Sequence, residues 1–336
     1  MSDDALADAL RRLDPARTPV DAPLPLDAER RVREIVGRPA AGARRALRAR
    51  RRFAVPGVVA ACVAVLLAVV VGVIAAPAPS ASALTPDPLT YRPVSDSVAE
   101  VIDEAQDRLA EAGGVNSSER RSLSLGWYFS ATADDADAAT VFRREWVDLR
   151  WNADLSGQIV TTAAEATNAA GDTVPSTDPT PGTLISELTF RRGQYSPISF
   201  ETPEATPDAM ADWIRLVTGA DEIEAADAIV GARRMLEEWT LTDAQESALL
   251  DVVEAAPDAT VLGETTDRLG RPAVAVAGVP SGIASHELAL LISTETGRIL
   301  GLEDTLRDAD PALKLPADSV AEYILWDVDA WKNGMR

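Results

Sequence analysis

The spacing of hydrophobic residues changes several times along the chain, and each change predicts a different element. Residues 95–112 have apolar positions three and four apart, which indicates a helix that Ser95 or Ser97 caps and Gly113 ends. The next segments alternate or are rich in β-branched and aromatic residues, and they are predicted as strands at 122–132, 140–151, 155–165 and 186–196.

Helical spacing returns in the middle of the chain and gives way to strands again towards its end. The predicted helices are 207–219, 222–239 and 242–256, and Thr242 with Gln245 forms a capping box at the start of the third. The later strands are predicted at 259–267, 271–278, 286–293, 297–306 and 321–331, with hairpin turns at 267–270 and 295–297. This order predicts an α+β domain over 94–336, with an antiparallel sheet and packed helices.

The longest apolar segment, 53–76, contains 24 residues without a single charge. As a helix it would be about 36 Å long, enough to cross a hydrocarbon core of about 30 Å. Six arginines lie between Arg44 and Arg52, whereas the first charge after the segment is Asp87. The positive-inside rule therefore predicts a single-pass cell-membrane protein, with residues 1–52 in the cytoplasm and the C-terminal domain extracytoplasmic.

A cleaved signal peptide is the alternative for this segment, because Ala81–Ala83 fits the small-residue cleavage pattern. The polar region that precedes the segment is 52 residues long, which favours an uncleaved anchor instead. Cys62 lies within the predicted span and is interpreted as a small apolar residue. Residues 77–93 hold five prolines and are predicted to form a semi-rigid linker.

The Arg-rich tail, residues 1–52, contains two short predicted helices at 3–13 and 27–36. Two such helices cannot bury a core of their own. The tail is therefore either a flexible stop-transfer segment or a docking segment that orders on a cytoplasmic sigma factor or another protein. It has neither His nor Cys, which excludes the zinc-type anti-sigma domains.

Charge and composition exclude several other classes. The net charge is −21, and it divides into +5 for residues 1–52 and −26 for the rest of the chain. The acidic remainder argues against nucleic acid as a partner. A single Cys excludes an intramolecular disulfide and thiolate clusters, and a single His excludes a multi-histidine metal site. No catalytic, cofactor-binding or metal-binding residue is therefore assigned, and no cofactor is expected.

The remaining candidate residues each have a plain structural interpretation. His286 opens a predicted strand and has no Gly-x-Ser-x-Gly elbow to serve, and neither Lys314 nor Lys332 follows a glycine as a phosphate-loop lysine does. Residues 152–157 begin like a calcium loop, but Ala163 occupies the twelfth position, where Glu is needed, so a hairpin turn is predicted. Three aspartates are interpreted as a solvated loop: Asp134, Asp135 and Asp137.

Two segments near the end resemble an actinobacterial family of single-pass membrane proteins of unknown function. The shared patterns are a Gly-Arg-Pro-x-Val-x-Val strand at Gly270–Val276 and a Thr-Gly-x-Ile-Leu-Gly turn at Thr296–Gly301. Members are often encoded beside extracytoplasmic-function sigma factors, so the resemblance implies a regulatory role. It implies no catalytic residues. The order of elements is also similar to the curled half-barrel of periplasmic lipoprotein carriers.

These observations predict a membrane-anchored, non-enzymatic, extracytoplasmic sensor or ligand-binding protein whose tail regulates a sigma factor. The alternative is an extracytoplasmic carrier or scaffold for lipid or another apolar molecule, with the N-terminus acting only as an anchor. A third hypothesis is a cell-wall hydrolase with two catalytic carboxylates, but no pair of acidic residues stands out. The outer ligand is not identified by any motif.

Overall fold

The structure is a computed structural model that describes residues 85–128, 141–175 and 179–326, apart from 312 and 314. The predicted tail, the predicted span 53–76, Cys62, Lys314, Lys332 and the acidic loop at 134–137 lie outside these ranges. Within them, no helix is both long and apolar enough to cross a membrane. The described residues belong to one compact unit.

Four helices and eleven strands make up the described part of the chain. The helices are α1 (Val98–Ala112), α2 (Pro207–Thr218), α3 (Ala225–Leu236) and α4 (Asp243–Ala255). The strands before α2 are β1 (Arg121–Tyr128), β2 (Glu145–Trp151), β3 (Gly157–Ala163), β4 (Ala166–Thr167), β5 (Thr173–Val174) and β6 (Leu184–Phe190). Those after α4 are β7 (Thr260–Thr266), β8 (Pro272–Gly278), β9 (His286–Ser293), β10 (Ile299–Leu306) and β11 (Val320–Leu325).

Nine strands form one antiparallel sheet in the order β6-β3-β2-β1-β11-β10-β9-β8-β7, and β4 and β5 pair separately. The two halves of the chain meet where β1 pairs with β11, with Leu125 opposite Leu325. The α+β class with an antiparallel sheet is thereby confirmed. The predicted helices and hairpin turns also form, with Ser97 and Thr242 as caps.

The sheet has an apolar cluster on each face because successive side chains point to opposite sides. The helix face packs against α1–α4, and strand residues such as Val276, Leu290 and Ile324 join the helices in one buried cluster. The opposite face, which residues 85–93 cross and which we call the strap face, carries a second cluster that includes Trp127, Leu291 and Tyr323. Five of the six tryptophans in the described residues are buried in these two clusters.

Candidate functional site

Residues 85–93, which we call the strap, cross the face of the sheet opposite the helices. This segment is the end of the predicted linker, and the structure places it on the domain. Leu89 and Tyr91 pack against the strap-face cluster. Backbone hydrogen bonds hold both ends of the strap: Asp87 N donates to Ala169 O at 2.8 Å, and Arg92 N donates to Glu264 O at 2.7 Å.

The strap also covers the outer edge of β7. Arg92 and Glu264 form an antiparallel bridge, and Thr265 Oγ1 donates to Thr90 O at 2.9 Å. Gly263 permits this close approach, because a Cβ built on it would overlap the Arg92 carbonyl, and its φ of 129° is unfavourable for other residues. The strap therefore pairs with one edge of the sheet in place of a tenth strand.

A buried ion pair lies beneath the strap. Arg268 Nη2 is 2.7 Å from Glu303 Oε2, and the two side chains are 9% and 1% exposed. The other Glu303 oxygen accepts Leu89 N at 2.9 Å, while Arg268 Nη2 donates to Asp87 O at 2.9 Å. Because both charged groups also bind the strap backbone, this pair joins the strap to the sheet.

Two tyrosines flank the ion pair and remain protonated hydrogen-bond donors. The Arg268 guanidinium carbon lies 4.6 Å from the centre of the Tyr323 ring. Burial raises the pKa of Tyr323, against the opposing effect of the Arg268 and Arg144 charges. Burial also raises the pKa of Tyr91, and the Glu303 and Glu287 carboxylates raise it further. Both shifts favour the protonated phenol, in which the hydroxyl can donate a hydrogen bond.

An open cleft of about 1010 Å³ lies between the strap and the neighbouring loops. Its walls combine Tyr91 and Tyr323 with Arg144, Arg268 and the Thr167–Gly171 loop. Such a wall offers donors, acceptors and aromatic surface together, which is suited to a polar ligand more than to a lipid chain.

The space between helices and sheet is filled by side chains. Val276, Leu290 and Ile292 are completely buried on the helix face. Two small cavities lie beside the helices, one of about 140 Å³ next to Trp239 and Glu246 and one of about 40 Å³ beside α1. A carrier needs a deep apolar cavity there, so this packing counts against the carrier alternative.

His286 does begin a strand, as predicted, but it also has a specific partner. Its Nδ1 lies 2.7 Å from Asp304 Oδ1, and the side chains are 26% and 14% exposed. Burial raises the pKa of Asp304, while its hydrogen bond with His286 opposes the increase. Glu322 lies nearby and binds Arg233 of α3. This cluster lies outside the cleft and contains no Ser, Cys or Thr nucleophile among those partners.

The raised pKa of Asp304 predicts a pH dependence of stability. Folded Asp304 holds its proton more tightly than the unfolded chain, whose pKa is near 3.8. Its contribution to stability is therefore complete below that pH and is lost as the pH rises through the folded pKa. Against a His286→Asn background, which removes the imidazole and its opposing effect, we expect Asp304→Asn to abolish this loss. Urea unfolding between about pH 3 and 6 measures it, and parallel curves with and without Asp304→Asn would contradict it.

Of the other sequence candidates, the segment 152–157 lies within the described ranges. Residues 152–156 form the β2–β3 turn, in which Ser156 Oγ donates to Asp154 Oδ1 at 2.6 Å, so the hairpin interpretation is confirmed. Sequence analysis missed Glu303, Arg268 and Tyr91. The only sequence signal for them is an acidic residue within the apolar pattern of β10, which marks a buried charge in need of a partner.

Comparison with known proteins yields structures alone. No protein-family model matches the chain, and neither does any curated protein. The chain is similar to the crystal structure of MucB in complex with MucA(peri), at 14% identity and a TM-score of 0.24 over 67% of this chain and 53% of that one. It is similar at 14% identity and a TM-score of 0.23 to the Pseudomonas aeruginosa MucA/MucB complex, over 67% and 55% of the two chains. The chain thus spans about half the length of these proteins, and likeness at this level assigns no function.

Proposed function

We propose that this is a membrane-anchored, non-enzymatic binding protein in which the strap cleft holds an extracytoplasmic polar ligand. The predicted span at 53–76 is its anchor, and the Arg-rich tail reports occupancy to a cytoplasmic partner, for which a sigma factor is the candidate that the family resemblance suggests. The lining of the cleft supports binding, since donors, acceptors and two protonated tyrosines surround it.

The observation that carries the proposal is that the strap forms one wall of the cleft. The strap is also the stretch of chain that leads from the predicted span into the domain. A ligand in the cleft would therefore contact the segment through which the domain is tied to its anchor. Binding that favours or disfavours the docked strap would shift its population, and this shift gives a physical route for a signal.

The test fixes the strap to β7 with a disulfide and measures whether the tail still binds a partner. Arg92 and Glu264 exchange both backbone hydrogen bonds, which places their Cα atoms about 5.5 Å apart, within disulfide range. Arg92→Cys with Glu264→Cys, in a Cys62→Ala background, should form a disulfide that reduction opens. The full chain in detergent micelles is then used to retain purified extracytoplasmic-function sigma factors of the host, with a variant lacking residues 1–52 as the control.

We expect retention by the full chain, no retention without the tail, and at least a twofold difference between the oxidised and reduced forms. The Cys62→Ala protein alone should respond to neither oxidant nor reductant. No retention by any form would remove the regulatory role. Equal retention by oxidised and reduced forms would remove the coupling through the strap while leaving the tail interaction intact.

A further inference from the structure

The two edges of the large sheet differ in how they are protected. At one edge β7 is bridged by the strap, as described above. At the other edge lies β6 (Leu184–Phe190), whose only strand partner among the described residues is β3. Alternate residues of an antiparallel edge strand direct both N–H and C=O away from the sheet, so β6 presents a row of groups that another strand could pair with.

β6 also exposes an unusual amount of apolar surface. Six of its seven residues are exposed, and Leu184, Ile185 and Leu188 are 54%, 43% and 55% exposed. Edge strands that must avoid pairing are usually short, bulged or charged along their length. The register of β6 against β3 shifts once, at Ile185, but from Ser186 to Phe190 the strand pairs regularly and carries Glu187 as its single charged residue.

Leu188 continues an apolar row that the domain already buries. It lies opposite Ile159 of β3, which lies opposite Leu149 of β2. Leu149 belongs to the helix-face cluster, and Ile159 packs against it. A further strand beside β6 would therefore place its own side chain next to Leu188 and extend this row by one position.

A second copy of the chain fits this edge poorly. Antiparallel pairing of two β6 strands in the register that aligns Leu184 with Phe190 places Glu187 opposite Glu187, and like charges directly opposed are destabilising. The net charge of −21 adds repulsion between copies. Both features favour a cationic partner instead, since Glu187 has no ion-pair partner within the described residues and would face a basic side chain favourably.

We propose that β6 is a docking edge for an extended peptide of a partner protein, which adds a tenth strand to the sheet. The peptide has apolar residues on the face beside Leu188 and at least one Lys or Arg on the face beside Glu187. Main-chain hydrogen bonds supply affinity in this mode, and the alternating side chains supply specificity. The edge is separate from the strap cleft, so both sites can be occupied together.

Binding of labelled peptides to the full chain in detergent micelles tests whether main-chain hydrogen bonds are needed. The probe is a blocked seven-residue peptide that alternates valine with threonine and carries one lysine on the threonine face. Three control peptides of the same sequence carry N-methyl groups on the valine amides, on the other amides, or on all amides. These peptides keep charge and composition but lose donors on one edge or both. We expect one half-methylated peptide to bind like the parent, and the other half-methylated and the fully methylated peptides to lose binding.

Variants of the protein test the location. Leu188→Lys should weaken binding of the parent peptide about tenfold or more, because it removes apolar contact from the new strand. Leu216→Lys is the matched control, since Leu216 is 73% exposed on α2, away from this edge, and it should leave affinity within about twofold. Glu187→Lys should weaken the lysine peptide up to about fivefold and improve its glutamate counterpart to a similar extent.

Four outcomes would overturn the proposal. One is equal binding by the fully methylated peptide, which would mean that charge alone attracts it. Another is an equal effect of Leu188→Lys and Leu216→Lys, and a third is the absence of binding by any peptide. The fourth is dimerisation of the full chain that Leu188→Lys abolishes, which would make the edge an interface between copies. None of these results bears on the disulfide test of the strap.

Discussion

Glu303→Gln is expected to lower the free energy of unfolding by about 3–5 kcal/mol, because it leaves the Arg268 cation buried without its counter-charge. Arg268 and Glu303 are 9% and 1% exposed, so water replaces the lost partner only poorly. The same substitution weakens the acceptor that holds Leu89 N at 2.9 Å. We therefore also expect Glu303→Gln to accelerate amide exchange in residues 85–93 more than it does in the helices. Urea unfolding followed by tryptophan fluorescence measures the first effect, and hydrogen exchange measures the second.

Two comparison proteins separate the buried charge from other causes. Glu104→Gln breaks an exposed pair with Arg108, whose side chains are 66% and 41% exposed, and should change stability by less than about 1 kcal/mol. Combining Glu303→Leu with Arg268→Met removes both charges, and it should recover most of the stability because neither charge is left uncompensated. If Glu303→Gln were as mild as Glu104→Gln, the pair could not be what fastens the strap.

The elements that sequence predicts well are those whose signals are local. The helix after the linker begins at Ser97, whose hydroxyl accepts Glu100 N, and ends at a left-handed Gly113. The α4 helix begins with the predicted capping box of Thr242 and Gln245. Each signal is contained within a few residues, so it can be recognised without knowledge of tertiary contacts.

The strap and the ion pair could not be predicted, because their partners are far apart along the chain. The prolines of the linker predict a semi-rigid segment, but composition does not show which surface such a segment contacts. Leu89 and its acceptor Glu303 are separated by 214 positions. Likewise, β1 pairs with β11 across most of the domain, and the exposed edge of β6 exists only because of the resulting strand order. Such long-range pairing carries no short sequence signature.

Gly297→Ala is expected to lower the free energy of unfolding by about 2–5 kcal/mol. Gly297 lies in the predicted turn between β9 and β10 at a φ of 73°, where an alanine is strained by about 1–2 kcal/mol. A Cβ there would also overlap the Ala105 carbonyl of α1 and lie 3.0 Å from Leu109 N. The turn therefore packs directly on helix backbone, which cannot move aside as a flexible side chain could.

Gly270→Ala separates the two contributions, because it tests a glycine of the same kind without the contact. Gly270 lies in the β7–β8 turn at a φ of 82°, and a Cβ there would meet nothing within 4 Å. Gly270→Ala should therefore lower the free energy of unfolding only by the backbone strain of about 1–2 kcal/mol. A larger loss for Gly297→Ala, measured by urea unfolding, would assign the difference to packing between this turn and α1. Equal losses would mean that the hairpin can move away from the helix, and the contact would then add nothing to the stability of the fold.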